Sequence, residues 1–311
     1  MPFSNASPTL EPNLNPSGCH RVLMVTGIFP PLSQVGVLRS LKFSKYLTEF
    51  GCKVDVLAYK PRIGVENIDE SLAREIPSSV RVHRTNWIIP TSVPAVFARK
   101  KSRESAATRN RNSAGEESPY GRLGRFRSSG FYRFMRHLPD NISPWIPMAI
   151  LRGLPIALRC DCIYASAPPF STHVIGLWLH RLTRKPLIVD FRDPWIGNEG
   201  YSSLSPRNIR LHERWERSAI RAAKFAISVT DPRRDIMAGR YPGEPAEKFV
   251  TILNGVDHEE IAGLPVPLER TLPPEPLTMS YFGSLYGSRT PQPLIDAVRT
   301  LKEAGQLIPR S

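Results

Sequence analysis

PLIVDFRDPW, residues 186–195, decides how the chain is read. Leu187, Ile188 and Val189 make a near-continuous apolar run, as expected of a strand covered on both faces. Asp190, Arg192 and Asp193 then stand where that strand meets its loop, and Pro194 and Trp195 close it. A turn needs Gly, Asn or Pro; it does not need an Arg held between two carboxylates. Two readings are open: an Arg–Asp pair that only fixes the loop, or a polar site at the mouth of a sheet.

Working outward, similar runs recur at 21–29, 53–59, 80–85, 160–167, 224–230, 248–253 and 277–283. Stretches of helical period lie between most of them. Phe43, Tyr46, Leu47 and Phe50 follow the i, i+3, i+4, i+7 spacing of one helix face, and Gly51 supplies the stop. This alternation predicts βαβ units and an α/β fold, a Rossmann-like doubly wound parallel sheet. A second helix is expected over 291–304.

The 311 residues have room for about two domains. The expected division is a tail over 1–19, a first domain over 20–262 with an insertion at 99–130, a linker over 263–276, and the start of a second domain over 277–311. The insertion has low hydrophobicity and no period, and five prolines in 265–276 mark the linker. The first eighteen residues lack the apolar core of a signal peptide. No run is apolar enough over its length to span a bilayer, so a cytoplasmic protein, soluble or peripheral on the inner face of the membrane, is expected.

The balance of 42 Lys+Arg against 28 Asp+Glu gives a net charge of +14 and calls for an anionic partner. Residues 99–136 hold eleven Lys and Arg against Glu104, Glu116 and Glu117, a net +8, so most of the excess belongs to one segment. The basic stretch 99–138 reads either as a contact with an anionic membrane or as a solvated loop before an ordinary helix. It lacks the aromatic stacking pattern of a nucleic-acid binder, so nucleic acid is not the expected partner. Cys19, Cys52, Cys160 and Cys162 offer no zinc spacing and read as small buried hydrophobes, so no metal is expected.

In open α/β sheets ligands bind outside the carboxyl ends of the strands. Those ends read GIFPPLSQVGVLR, SAPPFSTH, DFRDPW, TDPRR, NGVD and GSLYGSR. Gly36 is expected to let a ligand approach the backbone at a helix start whose N–H groups are open to phosphate. Arg39, Arg192 and Arg289 would supply bidentate charge.

These features together resemble the family-4 glycosyltransferases of the GT-B fold, particularly bacterial enzymes of surface-polysaccharide assembly. The likeness rests on FPP with Gly36 and Arg39, LPD (138–140) with Trp145, DCIYASAPP, VDFRDPW, LNGVD and YFGSLYGSR-x-P, and spans roughly residues 20–305. It implies transfer of a sugar from a nucleotide-sugar donor to a glycan or lipid-linked acceptor, with no cofactor and no metal. On the acceptor side it implies a cleft formed by Gly36, Arg39, Asp190, Arg192 and Asp193. On the donor side it implies Asn254, Gly283, Ser284 and Arg289. Ser284 replaces an Arg that many relatives carry, and Ser166 stands where many have a cleft-facing His. His173, seven residues on, reads by default as a histidine on a helix face. The second domain is expected to be truncated, lacking the family's acidic donor motif. The alternative is therefore a non-catalytic fragment or acceptor-binding remnant without a donor site.

Overall fold

The computed structural model describes residues 21–34, 36–61, 66–86, 139–198, 201, 204–257, 279–283, 285 and 290–306. The tail over 1–19, the insertion over 99–130, the linker over 263–276, and Ser284 and Arg289 lie outside the described residues. Two units divide the chain, Met1–His258 and Glu259–Ser311.

The first unit alternates strand and helix. It runs β1 (Arg21–Thr26), α1 (Val37–Glu49), β2 (Lys53–Tyr59), α2 (Glu70–Arg74), β3 (Arg81–Thr85), α3 (Ile146–Ala157), β4 (Cys162–Ala167), α4 (Ser171–Thr183), β5 (Leu187–Phe191), α5 (Pro206–Ala222), β6 (Phe225–Ser228), α6 (Asp231–Arg240) and β7 (Phe249–Thr251). The strands form one sheet in the order β3-β2-β1-β4-β5-β6-β7, and all neighbouring pairs are parallel. This is the Rossmann-like doubly wound α/β arrangement that the sequence predicts. The direction of winding reverses between β1 and β4, which opens a crevice at that point.

Period-two alternation sorts the side chains into two cores. Leu23, Val25, Leu57, Ile163, Ala165, Leu187 and Val189 pack with Ala149, Ile156, Val174, Leu179, Ala219 and Ile220 of α3, α4 and α5. Met24, Val54, Val56, Tyr164 and Ile227 face the other way and meet Leu41, Phe43 and Leu47 of α1. Local signals set the helix ends. Gly51, at φ +82°, follows the last turn of α1 in the left-handed region open to glycine. Ser205 accepts the Asn208 N–H at the start of α5, where Pro206 occupies the first turn.

In the second unit, α7 (Gln292–Glu303) forms where a helix was expected, with Leu294, Ile295 and Leu301 exposed. The strand expected over 277–283 is a correction. Residues 279–283 are in no strand, and 277 and 278 lie outside the described residues. A strand exists only through a ladder with a neighbour, and the described residues of this unit hold no second strand to supply one.

Cys160 and Cys162 are buried and Cys52 is half-buried. Among the described residues no helix is long and apolar enough to cross a membrane, and no cluster of His, Cys, Asp or Glu could hold a metal ion.

His173 is fully buried on the inner face of α4, 4.4 Å from the Phe191 ring and packed against Phe170 and Trp195. Its Nε2 lies 3.2 Å from the Asp190 carbonyl, and Nδ1 has no partner. Burial pushes its pKa down from 6.5 to about 4, so the folded protein keeps the ring neutral. The unfolded chain takes up a proton below pH 6.5 that the fold refuses until about pH 4. The stabilisation is complete above pH 6.5 and is lost as pH falls, amounting to roughly 3 kcal/mol across that window. Urea unfolding of the wild type and His173→Gln between pH 7 and 4 should show the wild type losing that much more stability. Parallel pH profiles would contradict the assignment.

Candidate functional site

The site end of the sheet is organised by one row of residues. Thr26, Ser166 and Asp190 are partners across β1, β4 and β5, all with zero exposure, on the face covered by α1. Deeper rows on this face are apolar; here the row turns polar. Ser40 of α1 lies 3.2 Å from the Thr26 hydroxyl. Asp190 accepts from the Tyr164 hydroxyl at 2.7 Å, the Ser166 hydroxyl at 2.9 Å, and Arg39 Nε and Nη2 at 3.0 Å each. Burial and the neighbouring Asp190 charge hold the Tyr164 phenol well above its usual pKa, so it stays a donor.

Arg39 has five N–H groups, and the structure gives each an acceptor. Two go to Asp190; the others reach the carbonyls of Ile252 and Leu253 and the side chain of Asn254. Burial by itself would lower the guanidinium pKa, but the Asp190 bonds and charge more than reverse this, so the net shift is upward. Arg39 therefore ties α1 to β5 and to the segment after β7. It is a strut and offers no open fork to a ligand.

Arg192 also differs from its expected role. It is not held between carboxylates: Asp190 is engaged by Arg39, and Asp193 lies 3.6 Å from Arg233. Instead Arg192 donates to the carbonyls of Ala167, Pro168 and Gly36, joining the turns after β1, β4 and β5. Gly36 sits at φ +94°, and a Cβ there would overlap the Arg192 guanidinium. The close approach that needs this glycine is thus made by the protein's own arginine. Asp190, expected in the cleft, is sealed beneath α1 and touches no solvent.

A pocket of about 410 Å³ lies over this framework. Gly36, Arg39, Arg192, Asp193 and Asn254, named from different parts of the sequence, all line it. They come from the ends of β1, β5 and β7, and Pro168 adds the end of β4, so the pocket straddles the winding reversal. Gly36 caps α1 with backbone alone; no side chain caps the helix and no acidic residue lies in its first turn. That end, with Arg192 beside it, gives the pocket a positive wall. Asp193 is exposed at the rim and supplies a negative one. Gly283 belongs to the other unit, at φ +158° with Tyr281 against it.

Other contributors stand in motifs quoted from the sequence to which no role was assigned there. Asp257 on the pocket wall accepts from Tyr46 at 3.1 Å and pairs with Lys42 at 3.0 Å and Lys45 at 3.2 Å, fastening the NGVD segment onto α1. The i, i+3, i+4 spacing of Lys42, Lys45 and Tyr46 carried a signal for this face, but its partner lies over two hundred residues away. Asp140 of LPD accepts the N–H and hydroxyl of Ser171 at the start of α4, and Trp145 donates to Thr85. Trp195 stacks on Phe170 at 4.9 Å and bonds His212 of α5, anchoring the loop that carries Asp193.

The chain is similar to three solved structures among others. Anabaena HepE, in complex with UDP and glucose, shares 15% identity over 77% of this chain and 46% of that one, with a TM-score of 0.42. Phytolacca americana UGT2, in complex with UDP-2fluoro-glucose and pterostilbene, shares 10% over 79% and 57%, at 0.44. The N-terminal domain of Candida albicans trehalose-6-phosphate phosphatase shares 13% over 78% and 50%, at 0.42. The chain spans about half the length of these solved chains. No family model matches the chain, and no curated protein matches it in sequence.

The contact between Gly36 and Arg192 yields a direct test. Gly36→Ala should cost at least about 1–3 kcal/mol from its positive φ alone, with the overlap adding to it. In an Arg192→Ala background the overlap disappears and the cost should fall to the backbone strain. Urea unfolding of the two singles and the double checks this; additive costs would mean that the two residues do not meet.

Proposed function

We propose that the chain carries the acceptor-side half of a glycosyltransferase that takes its sugar from a nucleotide-sugar donor. The acceptor would be a glycan or lipid-linked saccharide of surface-polysaccharide assembly, handled on the cytoplasmic side with the basic stretch 99–138 near the membrane. The observation that carries the reading is the pocket over the winding reversal, where Gly36, Arg192, Asp193 and Asn254 meet. The motif order that resembles the family-4 enzymes supports it independently.

In this reading the α1 N-terminus and Arg192 hold the acceptor's anionic group in their positive field, and Asp193 accepts from a sugar hydroxyl. Gly283, Ser284 and Arg289 would meet the donor diphosphate from a second domain, with no metal or cofactor needed. The engagement of every Arg39 N–H, and of Arg192 by three carbonyls, favours an acceptor wall over a diphosphate clamp. It also favours the second reading, an acceptor-binding domain without its own catalysis.

Calorimetry with polyprenyl-linked glycans, beside a radiolabelled-donor transfer assay on the purified chain, tests this. Expected are acceptor binding, weakened roughly 10–100-fold by Asp193→Ala, and little or no transfer by the chain alone. Turnover by the chain alone, well above hydrolysis, would overturn the division into an acceptor half and a separate donor half. No binding of any glycan would overturn the glycosyltransferase reading itself.

A further inference from the structure

Helix α5 presents Arg207, Arg210, Arg214, Arg217 and Arg221 to solvent. Their 3-4-3-4 spacing puts all five on one stripe, opposite the buried residues His212, Glu216, Ala219 and Ile220. The stripe is about 21 Å long at the helical rise per residue. The helix's own carboxylates do not neutralise it. Glu213 accepts from Tyr201; Glu216 is buried and bonded by Tyr241, Arg240 and the Ile196 N–H. Arg221, at the end, has Glu244 at 3.7 Å, and Arg207, at the other end, is engaged as well, so Arg210, Arg214 and Arg217 form the centre of the stripe.

Helices α3 and α4 lie in the same layer as α5, on the same face of the sheet. Neither contains an acidic residue. Instead they expose large apolar side chains: Leu151 at 67%, Trp178 at 40% and Leu182 at 53%, with Leu158 at 56% just past α3. Arg181 lies between Trp178 and Leu182 on α4, its guanidinium 5.6 Å from the Trp178 ring. An exposed apolar set beside a cationic stripe demands an explanation that solubility does not give.

We propose that this helical layer docks onto an anionic lipid bilayer, with the α5 arginines on the headgroups and Leu151, Leu158, Trp178 and Leu182 dipping into the interface. Charge complementarity selects an anionic surface, and the apolar residues select a bilayer over a nucleic acid, whose phosphate backbone offers leucine nothing. This surface is separate from the basic segment read from the sequence. It stands or falls independently of sugar transfer, since vesicle binding requires no substrate.

The test is co-sedimentation of the full chain with vesicles of phosphatidylcholine alone and of phosphatidylcholine with about a third phosphatidylglycerol. Binding to the anionic vesicles only, reduced by salt, is expected. Each arginine lost should lower partitioning about fivefold, so Arg210→Gln/Arg214→Gln/Arg217→Gln should lower it on the order of a hundredfold. The corresponding triple Lys variant keeps the charge and should bind as the wild type does, which separates lost charge from lost folding. Leu182→Ser should weaken binding at high and low salt alike. Wild-type binding by the triple Gln variant would overturn the proposal and assign membrane contact elsewhere. Equal binding to neutral vesicles, or to duplex DNA and no vesicle, would overturn it as well.

Discussion

Asp190 and Arg39 form an ion pair with almost no access to water, and the site end of the molecule depends on it. Removing two charges from solvent is costly, and the attraction between them repays it only when the remaining donors and acceptors are satisfied. Here they are: Tyr164 and Ser166 complete Asp190, while Ile252, Leu253 and Asn254 complete Arg39. One side chain thereby joins α1, β5 and the segment after β7. Arg192 adds the turns after β1 and β4 through their carbonyls. The pocket walls are fixed relative to one another by Arg39, whose donors are all spent on the protein, and by Arg192, which gives three of its five to backbone carbonyls.

The fold was largely legible because its signals are local. Near-continuous apolar runs mark strands covered on both faces, and Phe43 to Gly51 spell a helix and its end within nine residues. The roles of the arginines were not legible, because Asp190 lies 151 residues from Arg39, and Arg192 joins Gly36, 156 residues away, to Ala167 and Pro168 on a third part of the chain. Sequence gives the position of a guanidinium after a strand but not the direction of its fork. The same limit applies to Asp190: polar residues at a strand end look alike whether they face a cleft or lie under a helix. The run at 277–283 has strand composition, yet composition cannot supply a neighbour for a ladder.

Charge shows a related effect. Summed over segments, the basic excess points to residues 99–136, where acids are few. In α5 five arginines share seventeen residues with Glu213 and Glu216, so the local total is modest. Geometry separates the signs: both glutamates are drawn to Tyr201, Tyr241 and Arg240, away from the outward-facing Arg210, Arg214 and Arg217. The 3-4-3-4 spacing was visible in the sequence, but only the fold shows which face is outward.

The claim that Arg39 is a strut and not a ligand-binding group is tested most directly by a double-mutant cycle. Urea unfolding would be measured for the wild type, Arg39→Met, Asp190→Asn and the double variant. Arg39→Met should lose roughly 3–5 kcal/mol by leaving a buried carboxylate without its cation, and the double should lose well under the sum of the singles. Stability of Arg39→Met within about 0.5 kcal/mol of the wild type would contradict the account. It would return Arg39 to the set of residues kept for a ligand.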